Sequence, residues 1–261
     1  MANLFNKQAD LYSETRPTYP DDLFEFIASK TSNHLLAWDV GAGNGQAAVA
    51  LARIYEKVVG TDTSAQQLSH APKLPNVRYQ QTAATISIPE LEQAVAPRAS
   101  VDLVTVAQAF HWFDLPSFYE QVNWILRRPG GVLAVWCYTE PQVDDAVDDV
   151  FWKLYKESGP FWAPQRQMVD DRYRSVDFPF DPVEGEGHTG PFEFKGGKWM
   201  NLDKFLTYVR SWSAYQTAKE KGMELLKEEV IQDFQRAWGG DGSALKLVKF
   251  PVHLRIGRIR D

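Results

Sequence analysis

The chain has 261 residues, of which 44% are hydrophobic and 24% are charged, with a formal net charge of −6. This length allows one large α/β domain or a core with an inserted cap, and the composition is that of a globular protein. Basic residues are scattered, with no run longer than Arg127-Arg128, so we expect no nucleic-acid partner. The single cysteine, Cys137, excludes an intrachain disulfide and fits a reducing compartment.

The polar beginning of the sequence lacks the apolar core of a signal peptide. No apolar stretch approaches the roughly 18 residues that are needed to cross a bilayer. These two features predict a cytoplasmic protein without a membrane partner.

Short apolar runs alternate with helical patterns in the first half of the chain. The predicted strands are 35–40, 57–62, 77–80, 101–106 and 132–138. The predicted helices between them are 46–54, 64–71, 89–95 and 115–126. This alternation favours an α/β fold with a mostly parallel sheet and helices on both faces.

The pattern changes after about residue 140, where helical segments at 143–156, 202–212 and 217–238 surround an irregular stretch at 159–197. Strand-like residues flank Gly196-Gly197, and one long strand through these glycines is an alternative. The alternating tail predicts a closing strand. We therefore divide the chain into an N-terminal lid segment (1–34), a core (35–140), a cap with one inserted strand (141–238) and a closing strand (239–261).

A glycine-rich loop, Asp39-Val-Gly-Ala-Gly-Asn-Gly45, follows the first predicted strand. Glycine lets the backbone approach a ligand closely. Asp62 closes the second strand, about 20 residues further on, where an acid binds ribose hydroxyls in open α/β folds. Asp39, directly before the turn, suits a ligand with a cationic head. The spacing G-x-G-x-G departs from the dinucleotide pattern G-x-G-x-x-G, so NAD binding and a glycine turn without ligand are the alternatives.

This loop resembles motif I of class I S-adenosylmethionine-dependent methyltransferases. More narrowly, the chain resembles the small-molecule branch that contains trans-aconitate methyltransferases and their fungal and plant relatives. The segments that carry the narrower resemblance are Phe5–Ala9 with Tyr12 and Arg16–Pro20, Ala107–Asp114, and Arg210–Tyr215. The resemblance implies a Rossmann-like, seven-stranded α/β fold whose core binds S-adenosylmethionine and releases S-adenosylhomocysteine.

The resemblance also implies cofactor contacts. The glycine turn would pass beneath the methionine part, Asp62 would bind the ribose, and small residues would border the adenine. The predicted cofactor-binding residues are Tyr12, Arg16, Asp39, Gly41, Ala42, Gly43, Gly45, Asp62, Thr63, Ala83, Ala84 and Gln108. Many family members carry an acid near the adenine edge, where this sequence has Ala83-Ala84-Thr85.

The N-terminal segment is interpreted as a lid, with a surface leader as the alternative. Tyr12 and Arg16 would bind the cofactor carboxylate, and Tyr19 would exclude water from the substrate. His111 is the candidate catalytic residue, as a general base or a substrate hydrogen-bonding group, although a histidine held by packing is the alternative. Trp112 would border the substrate.

The cap supplies further candidate substrate contacts, namely Trp199, Arg210, Trp212 and Tyr215. Arg210 could clamp a substrate carboxylate or form a salt bridge on its helix. The acidic run at 144–149 favours a solvated helix face over a metal site, and the histidines show no metal-ligand spacing, so we predict no metal.

The sequence thus predicts transfer of a methyl group to a carboxylate or hydroxyl oxygen of a small molecule. The alternatives are a methyltransferase-fold enzyme with other chemistry, such as cyclisation, and a cofactor-binding module without catalysis. A monomer and a homodimer are both compatible with the sequence.

Overall fold

The computed structural model describes residues 17–260, in which seven strands form one sheet in the order β3-β2-β1-β4-β5-β7-β6. The strands are β1 (Leu36–Val40), β2 (Lys57–Asp62), β3 (Val77–Gln81), β4 (Leu103–Ala107), β5 (Val132–Tyr138), β6 (Phe192–Met200) and β7 (Lys246–Arg258). The first five strands are parallel, whereas β7 runs antiparallel to both β5 and β6. The carboxyl ends of the parallel strands therefore meet at one edge of the sheet.

Helices connect the strands and form the second half of the chain. Within residues 17–260 they are α1 (Asp21–Ser29), α2 (Gln46–Leu51), α3 (Ala65–Ser69), α4 (Ile88–Ala94), α5 (Leu115–Ile125), α6 (Asp145–Ser158), α7 (Arg166–Asp170), α8 (Leu202–Arg210), α9 (Ser213–Glu220) and α10 (Glu228–Trp238). Two 3₁₀ turns, Phe110–Trp112 and Gly159–Phe161, are added to these. In this part of the chain no helix combines the length and apolarity that a membrane span requires.

Both faces of the sheet are covered by apolar side chains. On one face, Trp136 of β5 packs in a buried cluster with residues of α1, α2, α6 and α8. On the other face, Trp38 and Val135 pack with α4, α5 and the segment around Tyr173. All seven residues of β5 are buried, as expected for a strand covered on both sides. The helices after residue 140 thus share an apolar core with the sheet.

Polar side chains mark the beginnings of several helices. Ser64 accepts a hydrogen bond from the Gln67 N–H at 3.2 Å, and Asp144 accepts one from the Val147 N–H at 3.1 Å. Ser87 and Glu90 form a reciprocal capping box. These contacts satisfy N–H groups that have no partner within a helix, so they fix where each helix begins after its strand.

The α/β fold with a mostly parallel, seven-stranded sheet is confirmed. Residues 192–200 form the one long strand through Gly196-Gly197 that the sequence left open as the alternative to two short strands, and a side chain at Gly196 would lie 2.9 Å from the Thr18 carbonyl oxygen. The helix predicted at 217–238 is divided into α9 and α10, with Gly222 at φ +77° between them. The leader contains α1, which sequence analysis missed. The division into lid, core, cap and closing strand stays a prediction.

Candidate functional site

A cavity of about 460 Å³ opens at the carboxyl ends of the parallel strands. Its first part, here called the loop half, is formed by the ends of β1, β2 and β4 and by the loop after β3, and includes Gly41, Gly43, Asp62, Thr63, Ala83, Ala84 and Gln108. Its second part, the cap half, includes His111, Trp112, Glu140, Tyr155, Trp162, Arg166, Tyr208 and Trp212. The volume lies within the range of small-molecule sites. One cavity therefore joins the predicted cofactor region to the cap.

The glycine turn meets the cavity through only part of its length. Gly41, Gly43 and Gly45 all have positive φ, at +68°, +55° and +83°. A methyl group added at Gly43 would meet no atom within 4 Å, whereas one at Gly45 would lie 2.4 Å from the Tyr79 hydroxyl oxygen. Gly41 and Gly43 line the cavity, but Ala42 and Gly45 do not. Gly45 is thus required by packing under Tyr79, and Gly43 leaves open space for a ligand.

Asp62 lies at the end of β2 and faces the loop half of the cavity. Its Oδ2 accepts a hydrogen bond from the Gly43 N–H at 2.8 Å, and its Oδ1 accepts one from the Ser64 N–H at 2.8 Å. Each carboxylate oxygen has two lone-pair positions, so both can accept a further hydrogen bond from a ligand. The same contacts fix the carboxylate next to the glycine turn.

Asp39 is fully buried in β1 and does not line the cavity. Its Oδ1 accepts the Thr105 hydroxyl at 2.8 Å, whereas its Oδ2 has no hydrogen-bond partner among residues 17–260. Burial raises the pKa of Asp39 to about 7, and the nearby charge of Asp62 raises it further while the Thr105 hydrogen bond opposes the change. The predicted contact of Asp39 with a cofactor is therefore not a direct one across the cavity surface.

The remaining predicted cofactor residues within the described chain lie along the loop half. Thr63, Ala83 and Ala84 line the cavity. Gln108 lines it as well, at φ +57°, and its Oε1 accepts the Tyr138 N–H at 2.8 Å. This contact joins the ends of β4 and β5 and holds Gln108 in a conformation that costs energy for a residue other than glycine.

His111 lies in the 3₁₀ turn after β4 and is buried at the junction of the two halves. Its Nδ1 lies 2.9 Å from the Tyr173 hydroxyl oxygen, a hydrogen bond between residues 62 positions apart. Burial, followed by the nearby positive charge of Arg166, lowers the pKa of His111 to about 3. The imidazole is therefore uncharged at neutral pH, and such a low pKa makes it a weak proton acceptor.

The low pKa of His111 predicts that the folded protein loses stability in mild acid. An unfolded histidine has a pKa of about 6.5, so between about pH 6.5 and 3 the unfolded state binds a proton that the folded state does not. On lowering the pH from 7 to 5, we expect His111→Gln to lose about 2 kcal/mol less unfolding free energy than the wild type. Urea unfolding at each pH measures this difference. His70 is exposed, so His70→Gln is the control and should lose as much unfolding free energy as the wild type. The prediction would be contradicted if the unfolding free energies of wild type and His111→Gln fell equally between pH 7 and 5.

The structure describes only some of the residues predicted to form the N-terminal lid. Tyr12 and Arg16 lie outside residues 17–260, so their predicted contacts with the cofactor remain predictions. Tyr19 does not line the cavity and packs edge-on against Trp136, with ring centroids 5.4 Å apart. It lies beside α1 rather than over the cavity, since its ring also meets Phe24.

Of the four predicted cap contacts, the structure brings only Trp212 to the cavity. Trp199 is 61% exposed on β6, which is the edge strand of the sheet formed by residues 17–260. Arg210 lies in a separate shallow groove with Asp203 and Asp241. Tyr215 is buried, and its hydroxyl donates to Glu224 at 2.8 Å. These three residues therefore lie outside the cavity, contrary to their predicted position around the substrate.

The structure adds residues that sequence analysis missed. Arg166 begins α7, and its guanidinium lies between two carboxylates, with Nη2 2.6 Å from Glu140 Oε1 and Nε 2.8 Å from Asp170 Oδ1. The guanidinium also lies over the Trp162 ring, 4.7 Å from its centroid. Glu140 follows the end of β5, where ligands bind in such sheets, and this signal could have identified it.

The chain is similar to known methyltransferases along its length. A family model described as a methyltransferase domain matches residues 38–135. A Dictyostelium discoideum protein assigned as a methyltransferase is 34% identical, with 97% of this chain and 94% of that protein covered. A Saccharomyces cerevisiae protein assigned as an S-adenosylmethionine-dependent methyltransferase is 27% identical, with 80% of each chain covered.

A solved structure extends this similarity to the fold. It is that of an Anaeromyxobacter dehalogenans protein assigned as a type II methyltransferase, and it superposes with a TM-score of 0.79 at 32% identity, with 93% of this chain and 97% of that chain covered. A match of this extent includes residues on both sides of position 140. Together with the glycine turn and Asp62 at the strand ends, these matches show that the chain belongs to the class I S-adenosylmethionine-dependent methyltransferases.

Proposed function

We propose that this methyltransferase holds its cofactor in the loop half of the cavity and methylates an oxygen of a small molecule in the cap half. The observation that carries the proposal is the continuity of the cavity from Gly43 and Asp62 to Arg166 and Trp212. A shared space lets donor and acceptor be held in contact, and such alignment can supply most of the rate of a bimolecular transfer.

The residues of the loop half fit S-adenosylmethionine, which supplies a methyl group already activated on sulfur. Asp62 has lone pairs left for the ribose hydroxyls, and Gly43 leaves room for close backbone contact. Ala83 and Ala84 leave an apolar edge for the adenine ring. The buried Oδ2 of Asp39, which has no hydrogen-bond partner among residues 17–260, fits an attraction to a cationic ligand that acts at a distance rather than by contact.

We assign His111 to the acceptor side, as a neutral hydrogen-bonding group held in place by Tyr173. Its low pKa disfavours the role of general base that the sequence suggested. Trp112 and the aromatic residues of the cap surround the acceptor and keep water from it. The acceptor is accordingly bound by the predicted cap at 141–238 together with His111, Trp112 and Glu140 of the predicted core.

The test combines binding with product analysis. Titration calorimetry should show that the protein binds S-adenosylhomocysteine. Incubation of metabolite extracts with methyl-labelled S-adenosylmethionine should yield a labelled small molecule heavier by one CH₂ group. Binding of S-adenosylhomocysteine with no labelled or altered product would instead support a non-catalytic module, and failure to bind it would refute the proposal. Binding accompanied by an altered product without added methyl would favour cyclisation or related chemistry.

A further inference from the structure

The charges of the cap half indicate which acceptors it can hold. Among the described residues that line the cavity, Arg166 is the one Lys or Arg, and Glu140 lies directly against it. Asp170 pairs with the same guanidinium from its other side. The three side chains therefore carry a combined formal charge of −1, and His111 adds no positive charge at neutral pH.

The position of Arg166 makes this pairing stable. Its side chain is only 17% exposed, and it donates through Nη2 and Nε to two different carboxylates. Tyr155 also donates its hydroxyl to Asp170 Oδ1, at 3.0 Å. A carboxylate acceptor would have to displace one of these partners or sit beside them as a third anion, and like charges at short range repel strongly in a partly buried site.

The walls of the cap half are aromatic. The Trp162 and Trp212 rings have centroids 5.6 Å apart, and Tyr155 lies 6.0 Å from Trp212. Tyr208 packs edge-on against Trp212 with centroids 6.0 Å apart. Aromatic side chains bind flat rings by stacking and edge contacts, so this surface suits a planar apolar molecule.

Arg166 retains a hydrogen-bond donor that its two carboxylate partners do not use. The Nη1 atom of Arg166 has no hydrogen-bond partner among residues 17–260, since the two carboxylates bind Nη2 and Nε. A nitrogen of a guanidinium that is already neutralised can donate to an uncharged oxygen. It therefore suits a hydroxyl or carbonyl oxygen on a ring better than a second carboxylate.

Resting on the proposed function, we propose that the acceptor is an uncharged hydroxyarene, a flat aromatic ring that carries a hydroxyl group, and that carboxylic acids are excluded from the cap half. In the transfer, the phenolic oxygen gains the methyl group as the carbon–sulfur bond breaks, the sulfonium becomes a neutral thioether, and the phenolic proton leaves to solvent. The sequence predicted methylation of either a carboxylate or a hydroxyl oxygen, and this proposal selects the hydroxyl oxygen.

The test compares two ligands that differ in charge at one position of the same ring system. Calorimetric titration at pH 7 with 2-naphthol and with 2-naphthoate, in the presence of S-adenosylhomocysteine, measures their dissociation constants. We expect 2-naphthol to bind at least about tenfold more tightly. Equal or tighter binding of 2-naphthoate overturns the proposal, and so does binding of S-adenosylhomocysteine with no binding of either ring compound.

A variant pair tests whether the paired carboxylates cause the selectivity. Glu140→Gln with Asp170→Asn leaves the Arg166 charge unpaired, so the preference for 2-naphthol should fall at least about tenfold. The control is Glu229→Gln with Asp233→Asn, which removes two carboxylates from α10, away from the cavity, and should keep the wild-type ratio. An unchanged ratio in the first pair, or the same fall in the control, overturns the proposal. If the first pair fails to fold, Asp170→Asn alone should shift the ratio in the same direction.

These measurements also separate the proposal from the proposed function. Titrations of both ring compounds are repeated without S-adenosylhomocysteine. Failure to bind S-adenosylhomocysteine would refute the proposed function. The ratio of the dissociation constants of 2-naphthol and 2-naphthoate would still show whether the cap half selects against a negative charge. A protein that methylates a carboxylic acid keeps the proposed function and refutes the hydroxyarene class.

Discussion

Asp62→Asn is expected to weaken the binding of S-adenosylhomocysteine about 100-fold, as measured by titration calorimetry. The amide has the shape of the carboxylate, but its NH₂ group cannot accept a hydrogen bond. Asp62 accepts the Gly43 and Ser64 N–H groups, both at 2.8 Å, so one of these donors loses its partner in the variant. A hydrogen bond to a charged group contributes about 1.5–3 kcal/mol, and the ribose contact would lose a similar contribution.

Glu56→Gln is the matched control for this substitution. Glu56 is exposed and directly precedes β2, whereas Asp62 ends the same strand at the cavity. Both variants remove one negative charge, so a general effect of net charge would weaken binding in both. We expect unchanged affinity for Glu56→Gln. An affinity within threefold of wild type for Asp62→Asn would show that the cofactor sugar does not bind at this carboxylate.

The sequence was sufficient to predict the sheet and the loop half of the cavity. Buried parallel strands are continuous apolar runs, and β5 at Val132–Tyr138 has the predicted limits. Because all parallel strands end at the same edge, Asp62 and the glycine turn could be placed together from the ends of β1 and β2 alone. Ala83 and Ala84 follow β3, and the same rule applies to them.

The cap half could not be derived in this way. Trp162 and Arg166 come from a stretch rich in proline, glycine and aromatic residues, which has no period that would show which side chains face inward. Tyr173 reaches His111 across 62 positions of sequence, and such a contact depends on the packing of the whole chain. The sequence suggested Arg210 as the arginine among aromatic residues, whereas Arg166 lines the cavity and Arg210 lies in a separate groove.

Alanine substitutions in the glycine turn should have the second large effect. Gly43→Ala should mainly weaken ligand binding, whereas Gly45→Ala should mainly lower stability. Both have positive φ, which costs an alanine roughly 1–2 kcal/mol. At Gly43 the added methyl group meets no atom within 4 Å and enters the space beside the cavity. We therefore expect Gly43→Ala to lose only that strain energy in stability, but to bind S-adenosylhomocysteine at least about tenfold more weakly.

At Gly45 we expect the opposite result, a large loss of stability and a small loss of affinity. The added carbon would lie 2.4 Å from Tyr79 Oη and 3.0 Å from Cζ, and the Tyr79 ring cannot move away freely because it also lies against Gly60. Overpacking of this kind costs about 1–3 kcal/mol beyond the strain, so Gly45→Ala should lower the unfolding free energy by about 2–5 kcal/mol. Its affinity for S-adenosylhomocysteine, measured below the unfolding temperature, should change much less than that of Gly43→Ala. Adding Tyr79→Phe removes the closest atom and should restore part of the stability of Gly45→Ala, but none of the affinity of Gly43→Ala. Equal losses of stability and affinity in the two alanine variants would mean that the whole turn, rather than Gly43, meets the ligand.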